Sequence, residues 1–287
     1  IAMSGHLQSI LRGTPVGIVG LGAVGGQLAK RLLSLGCQVV GYDPLLMHWP
    51  SGVLRGDLEA VLSQAVVSLH ASLHDQPSFA SQGLIGVAEA EGMIAASATR
   101  PQPGLFINAG RGGLVTHQAL ECLLASAWTT VLDTWPTEPS LDGSLLAQCD
   151  WVSPHIAGHS KAAKRRGSDM LARAVAQWGD QIGLARPVIG VAGITQEAMP
   201  PTLTNLICEA GETPGDAMAR FLRHASVLAR EDARLRQGAT PHVTPELFDR
   251  LRQSYEQPPE WTGAQLQVSA GSTAIVAALK QLGIAVI

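Results

Sequence analysis

Val16-Gly17-Ile18-Val19-Gly20-Leu21-Gly22-Ala23-Val24-Gly25 is the stretch whose reading decides the fold. A short apolar run enters a Gly-x-Gly-x-x-Gly turn, and apolar residues then recur at helical spacing through Val24, Leu28, Leu32 and Leu35. The pattern is strand, tight turn, helix. In such a unit Gly20 permits the turn, Gly22 lets the backbone approach a pyrophosphate, and Gly25 lets the helix pack on the strand. The first N–H groups of the helix, with Ala23 and Val24 among its opening residues, and the positive end of its dipole then hold the phosphates. Glycines are common in turns, so the motif alone is weak; its context strengthens it. The next apolar run, Gln38-Val39-Val40-Gly41-Tyr42, ends at Asp43, about 20 residues beyond the motif. A carboxylate there accepts from adenosine ribose hydroxyls and repels a 2′-phosphate. The expected cofactor is therefore NAD rather than NADP.

Outward from this unit, further short apolar runs lie at 65–69, 105–108, 129–132 and 151–153, with helical patterns between them. They lack strict alternation, as parallel strands covered on both faces do. The predicted class is α/β, a doubly wound parallel sheet followed by a smaller α/β domain. Residues 14–158 are expected to form the dinucleotide-binding domain and 159–184 one long helix. Residues 185–287 are expected to form a separate C-terminal domain that closes with a strand, a helix over 273–282 and a strand. Apolar residues at 46% and charged residues at 15% suit a well-buried core. A net charge of -3 leaves no basic excess, which argues against nucleic acid as a partner. No apolar run reaches the roughly 18 residues needed to span a bilayer. The chain opens Ile-Ala-Met-Ser without a signal-peptide pattern, and Cys37, Cys122, Cys149 and Cys208 form no CxxC pair. A cytoplasmic location with free thiols is expected.

Three features fall after later strands, where open α/β sheets bind ligands. Asn108-Ala109-Gly110-Arg111-Gly112-Gly113 offers a guanidinium that can grip a carboxylate by two parallel hydrogen bonds. Asp133-Thr134-Trp135-Pro136-Thr137-Glu138-Pro139 and Ser153-Pro154-His155-Ile156-Ala157-Gly158-His159 offer carboxylates and an imidazole, the makings of a general acid/base pair. Singly, Arg111 reads as a surface residue and His155 as a structural histidine; in this order behind a dinucleotide turn they read as a catalytic set. His155 with His159, and His70 with His74, are spaced i, i+4, but Pro154 and Gly158 oppose a helix beneath the first pair, so no metal site is expected. Cys149 has no visible activating partner.

The order of these motifs resembles the D-2-hydroxyacid dehydrogenase superfamily, in which an Arg, a Glu and a His follow the dinucleotide turn. The segment from His155 to Gly167, the run Phe248-Asp-Arg-Leu-Arg-Gln-Ser-Tyr255, Thr262-Gly263 and the closing strand-helix-strand are similar to its erythronate-4-phosphate dehydrogenase branch. The resemblance implies Arg111, Glu138 and His155 as the catalytic trio. It also implies Asp133 at the nicotinamide carboxamide, and Ala71 and Gly158 beside the cofactor. Arg111 and His159 would meet the substrate. It implies oxidation of 4-phosphoerythronate at its 2-hydroxyl, on the route to vitamin B6, by a homodimer joined through the C-terminal domain. This chain departs from the pattern in three places. His159 stands where the family carries Tyr, Ala71-Ser72 where it has Thr-Pro, and Thr116, still a competent helix cap, where it has Asp. The family also begins with a longer front part of the substrate domain, so residues 1–13 are expected to be its remnant, in a truncated sequence. Another 2-hydroxyacid dehydrogenase, or an NAD-binding dimerisation module without catalysis, stands as the alternative.

Overall fold

The computed structural model describes residues 15–34, 36–76, 78–183, 204–206, 226–239, 241–255, 265–268, 280 and 285–286. From the deciding stretch, β1 (Val16–Val19) enters the glycine turn and α1 (Ala23–Ser34) leaves it. The chain continues through β2 (Val39–Tyr42), β3 (Leu54–Arg55), α2 (Leu58–Leu62), β4 (Val66–Leu69), α3 (Val87–Ser97), β5 (Leu105–Asn108) and α4 (His117–Leu124). It then forms β6 (Thr129–Leu132), β7 (Leu141–Asp142), α5 (Gly143–Gln148), β8 (Trp151–Val152) and the long α6 (Lys161–Gln181). Seven strands pair in parallel in the order β3-β2-β1-β4-β5-β6-β8. The order reverses between β1 and β4, the switch point at which such sheets leave a crevice.

The strands are parallel because helices cover both faces, and their residues are correspondingly apolar and buried. Every residue of β1 and β4 is buried, and Phe106 of β5 and Val152 of β8 are fully so. Truncating Phe106 to Ala would cost about 3–5 kcal/mol. Helix starts follow local chemistry: Asp57 caps α2 by accepting from Ala60 N, and Thr116 caps α4 by accepting from Ala119 N. The departure at Thr116 therefore keeps its cap.

Val24 matches the helical apolar spacing of α1 and is 65% exposed, on the side where the cofactor is expected. The face of α1 that packs on the sheet is Gly25 and Ala29, flanked by Leu28, Leu32 and Leu33. Val24 instead looks out at the crevice.

Residues 185–287 are expected as one domain, and the structure divides them otherwise. Their described elements are β9 (Thr204–Leu206), α7 (Leu228–Gly238), β10 (His242–Val243), α8 (Pro245–Gln253), β11 (Gln265–Val268) and β12 (Ala285–Val286). The chain divides differently: residues 1–157 form one unit together with 209–255, and 158–208 form the other together with 256–287. The reason is apolar. Leu235 of α7, Val243 of β10, and Phe248 and Leu251 of α8 are buried in the same core as Leu141, Leu145, Leu146 and Val152. α8 itself reads plainly in sequence, with Thr244 accepting from Leu247 N, Pro245 in its first turn and Glu246 beside it. In the second unit β12, β11 and β9 form a parallel sheet. Parallel neighbours need a crossover; of the helix expected over 273–282 only Lys280 is described, and it is helical. The segment expected as a remnant (1–13) lies outside the described residues. Among the described residues no helix is long and apolar enough to cross a membrane.

Candidate active site

A cavity of about 360 Å³ opens at the C-terminal ends of β1, β2, β4 and β5. Its walls include Gly20, Gly22, Ala23, Val24, Asp43 and Ala71, all expected to hold the cofactor, together with Ala109, Gly110 and Arg111. The glycines explain its shape. Gly20 sits at φ 86, and a Cβ there would meet Ala71 N at 2.4 Å. A Cβ on Gly25 would stand 1.9 Å from Gly20 O, so this residue carries the contact between helix and turn. At Gly22 nothing lies within 4 Å of where a Cβ would be. The protein does not itself require glycine there; space for something approaching the backbone does. This open cradle at the start of α1 fits a pyrophosphate.

Asp43 sits at the rim, where its Oδ2 accepts from Leu21 N at 2.8 Å and its Oδ1 from Leu45 N at 3.3 Å. The carboxylate is thereby tied to the glycine turn and still has lone pairs for ribose hydroxyls. His70 also lines the cavity and was not anticipated as a site residue. Its Nε2 lies 2.9 Å from Ser68 Oγ, and burial lowers its pKa, favouring the neutral imidazole. Leu45, Phe79 and Ser81 also line it. They come from loops after strands, which carry no periodicity, so only their position after a strand could have flagged them.

The residues expected as the acid/base pair meet beyond the ends of β6 and β8. His155 Nδ1 lies 2.7 Å from Glu138 Oε1, and both side chains are about three-quarters covered, 25% exposed each. Glu138 Oε2 accepts from Trp135 N at 3.2 Å, which fixes the carboxylate's second oxygen. His155 itself adopts φ 51, the left-handed region that costs most residues energy and that His tolerates better than most. Asp133 accounts for that conformation. Its Oδ1 accepts from Ser153 Oγ at 2.6 Å and Ile156 N at 2.8 Å, its Oδ2 from Ala157 N at 3.0 Å, and its backbone O from His155 N at 2.8 Å. A carboxylate offers about four lone-pair sites. Three are occupied in holding the histidine loop.

Arg111 is exposed at the cavity, its Nη1 donating to Gly110 O at 2.8 Å. Its loop abuts the Glu138 loop, for a Cβ on Gly112 would stand 1.9 Å from Trp135 O. Asn108 ties the same two loops: Nδ2 donates to Arg111 O, and its backbone O accepts from Asp133 N. Arg111, Glu138 and His155 thus come from adjoining loops of one unit. Gly158 (φ 80) and His159 begin the second unit, where Lys164 Nζ lies 3.0 Å from His159 Nε2. Neither is among the cavity's lining residues, nor is Asp133. Burial pushes the Cys149 thiol up to about 12, so it stays protonated at neutral pH and is no nucleophile.

Residues 3–157 match the family model described as D-isomer specific 2-hydroxyacid dehydrogenase, NAD binding domain, which is more than half of the chain. The chain belongs to the D-isomer specific 2-hydroxyacid dehydrogenase family. Its first unit contains the family's NAD-binding domain, and NAD is the cofactor that the cavity serves. Relatives include the erythronate-4-phosphate dehydrogenase of Marinomonas sp. (strain MWYL1), 31% identical over 89% of this chain and 64% of that protein. That of Cellvibrio japonicus is 35% identical over 90% and 66%, and that of Marinobacter nauticus 32% over 93% and 68%. The chain spans about two thirds of the length of these curated relatives. Among solved structures, D-lactate dehydrogenase with NAD+ from Lactobacillus jensenii is 25% identical over 58% of this chain and 53% of that one, with a TM-score of 0.48.

Proposed function

We propose that the protein to which this chain belongs is an NAD-dependent 4-phosphoerythronate dehydrogenase, oxidising the 2-hydroxyl of that acid to a ketone. The observation that carries the reading is the 2.7 Å His155–Glu138 pair standing beside a loop that presents Arg111 to an NAD cavity. Arg111 anchors the C1 carboxylate through its planar fork. Glu138 occupies Nδ1 of His155, leaving Nε2 to take the hydroxyl proton as the C2–H bond breaks. NAD, bound in the cavity, supplies the hydride acceptor. Asp133 contacts the nicotinamide carboxamide. The choice of substrate rests on the erythronate-4-phosphate dehydrogenases that the chain resembles over about nine-tenths of its length. A place in vitamin B6 synthesis, a cytoplasmic location and a homodimer joined through the C-terminal region belong to the same reading.

The test compares kcat/KM of the complete protein for 4-phosphoerythronate with that for D-lactate and D-glycerate. A clear preference for the phosphorylated acid is expected. Equal or better turnover of an unphosphorylated acid would assign another member of the family. His155→Ala should lower kcat by about 10²–10⁴-fold while NADH still binds, and Arg111→Lys should act mainly on KM. Near-normal kcat in His155→Ala would remove it as the base.

A further inference from the structure

The Glu138–His155 pair is held from an unexpected quarter. Residues 141–152 run through β7, α5 and β8 as one strand-helix-strand loop-out, and the pair flanks it: Glu138 lies three residues before Leu141, and His155 three after Val152. Both ends are gripped by the segment 228–253, which follows the family's NAD-binding domain in sequence. At one end β10 pairs antiparallel with β7, His242 opposite Asp142 and Val243 opposite Leu141. The approach is close, for a Cβ on Gly143 would stand 2.1 Å from Pro241 O. At the other end lies β8, the edge strand of the sheet. Its Val152 N donates to Asp232 Oδ1 of α7 at 2.9 Å, where an edge strand would otherwise face water.

Arg236, one helical turn on, locks that grip. Its Nε donates to Asp232 Oδ2 at 2.9 Å and its Nη2 to Asp232 Oδ1 at 3.0 Å. The rest of the guanidinium reaches three carbonyls of the same loop: Leu146 O at 2.9 Å, Cys149 O at 2.8 Å and Asp150 O at 3.3 Å. Only a planar fork can serve a carboxylate and three carbonyls together.

We propose that 228–253 is a brace for the acid/base pair, and that Asp232 and Arg236 are positioning residues for His155. The proposal rests on the reading of Glu138 and His155 as that pair. A group that merely covered the sheet edge would grip one strand. This segment grips the two ends of one loop, and each end leads within a few residues to one partner of a single hydrogen bond.

The test that does not depend on turnover is proton NMR of the 287-residue chain. The His155 Nδ1–H bonded to Glu138 gives a downfield resonance, assigned by its absence in His155→Gln. In Asp232→Ala it should vanish or exchange with water about tenfold faster, with the NADH dissociation constant changed less than about twofold. Asp232→Asn, which keeps an acceptor for Val152 N, should restore it. An unchanged resonance in Asp232→Ala overturns the proposal. So does its loss together with NADH binding, which would mean general loosening. Should Asp232→Ala fail to fold, Arg236→Lys carries the same two outcomes. In the complete protein, Asp232→Ala should lower kcat roughly 10–100-fold at nearly constant KM. If the complete protein does not oxidise 4-phosphoerythronate, the functional reading fails while the resonance still decides the brace.

Discussion

The glycine turn at Gly20–Gly25 and the histidine loop at Ser153–Ala157 both present groups at the end of one parallel sheet, but they are built differently. The turn is shaped by atoms that are missing: a Cβ at Gly20 or Gly25 would run into backbone, and one at Gly22 would enter the cavity. The loop is shaped by hydrogen bonds, with Asp133 clasping Ser153, Ile156 and Ala157 while His155 takes a left-handed φ. A site made by exclusion needs only the right small residues in a row. One made by attraction needs partners from elsewhere in the chain. The first should break by addition and the second by removal.

The largest effect expected is therefore on the loop. Asp133→Ala strands three donors, of which Ile156 N and Ser153 belong to buried residues. Each buried unsatisfied group costs about 1–3 kcal/mol, so a loss of about 3–5 kcal/mol is expected in urea unfolding. Any variant protein that still folds should lose the downfield His155 resonance. If Asp133→Ala unfolds at the same urea concentration as the parent, the loop owes its shape to something other than this carboxylate.

The turn should answer to a paired substitution. Gly25→Ala places a methyl against Gly20 O, and overpacking of this kind costs about 1–3 kcal/mol. Gly22→Ala meets nothing in the protein, so thermal unfolding should stay within about 1–2 °C of the parent's, the usual scatter of neutral surface changes. Its NADH affinity should nevertheless fall, since the methyl occupies the space kept for the cofactor. Equal stability losses in the two variants would show that the glycines serve the fold and not the ligand.

This difference also governs how much could be read beforehand. The turn, Asp43 and the strand ends were legible because their determinants sit within a few residues of one another. Helical spacing alone could not tell Val24 from a core residue, because an apolar residue facing a ligand cavity matches the pattern as well as one facing the core. Arg111, Glu138 and His155 were legible as types in order, but not the clasp on Asp133, which crosses from β6 to β8. Least legible was the brace. Asp232 meets Val152 across some 80 residues, and β7 and β10, with two residues each, are too short for any periodicity. The same long-range packing drew 228–255 away from the expected C-terminal domain.

His70 gives the smallest effect and the sharpest check, because it is a titrating side chain on the side of the cavity otherwise governed by glycine. Burial lowers its pKa below the ordinary 6.5. The unfolded chain therefore binds this proton more readily than the folded one. Stability contributed here is present above pH 6.5 and is lost as pH falls from there through the folded-state value. The thermal midpoint should drop between pH 7.5 and 5.5, and His70→Asn should flatten part of that drop. An identical pH slope in the two proteins would mean that His70 does not contribute. NADH affinity should keep the same pH profile in both, if backbone geometry alone builds the cradle. A changed profile would show that the Ser68–His70 pair also supports the turn, and the contrast between exclusion and attraction would then hold for Gly20 to Gly25 but not for the strand beside it.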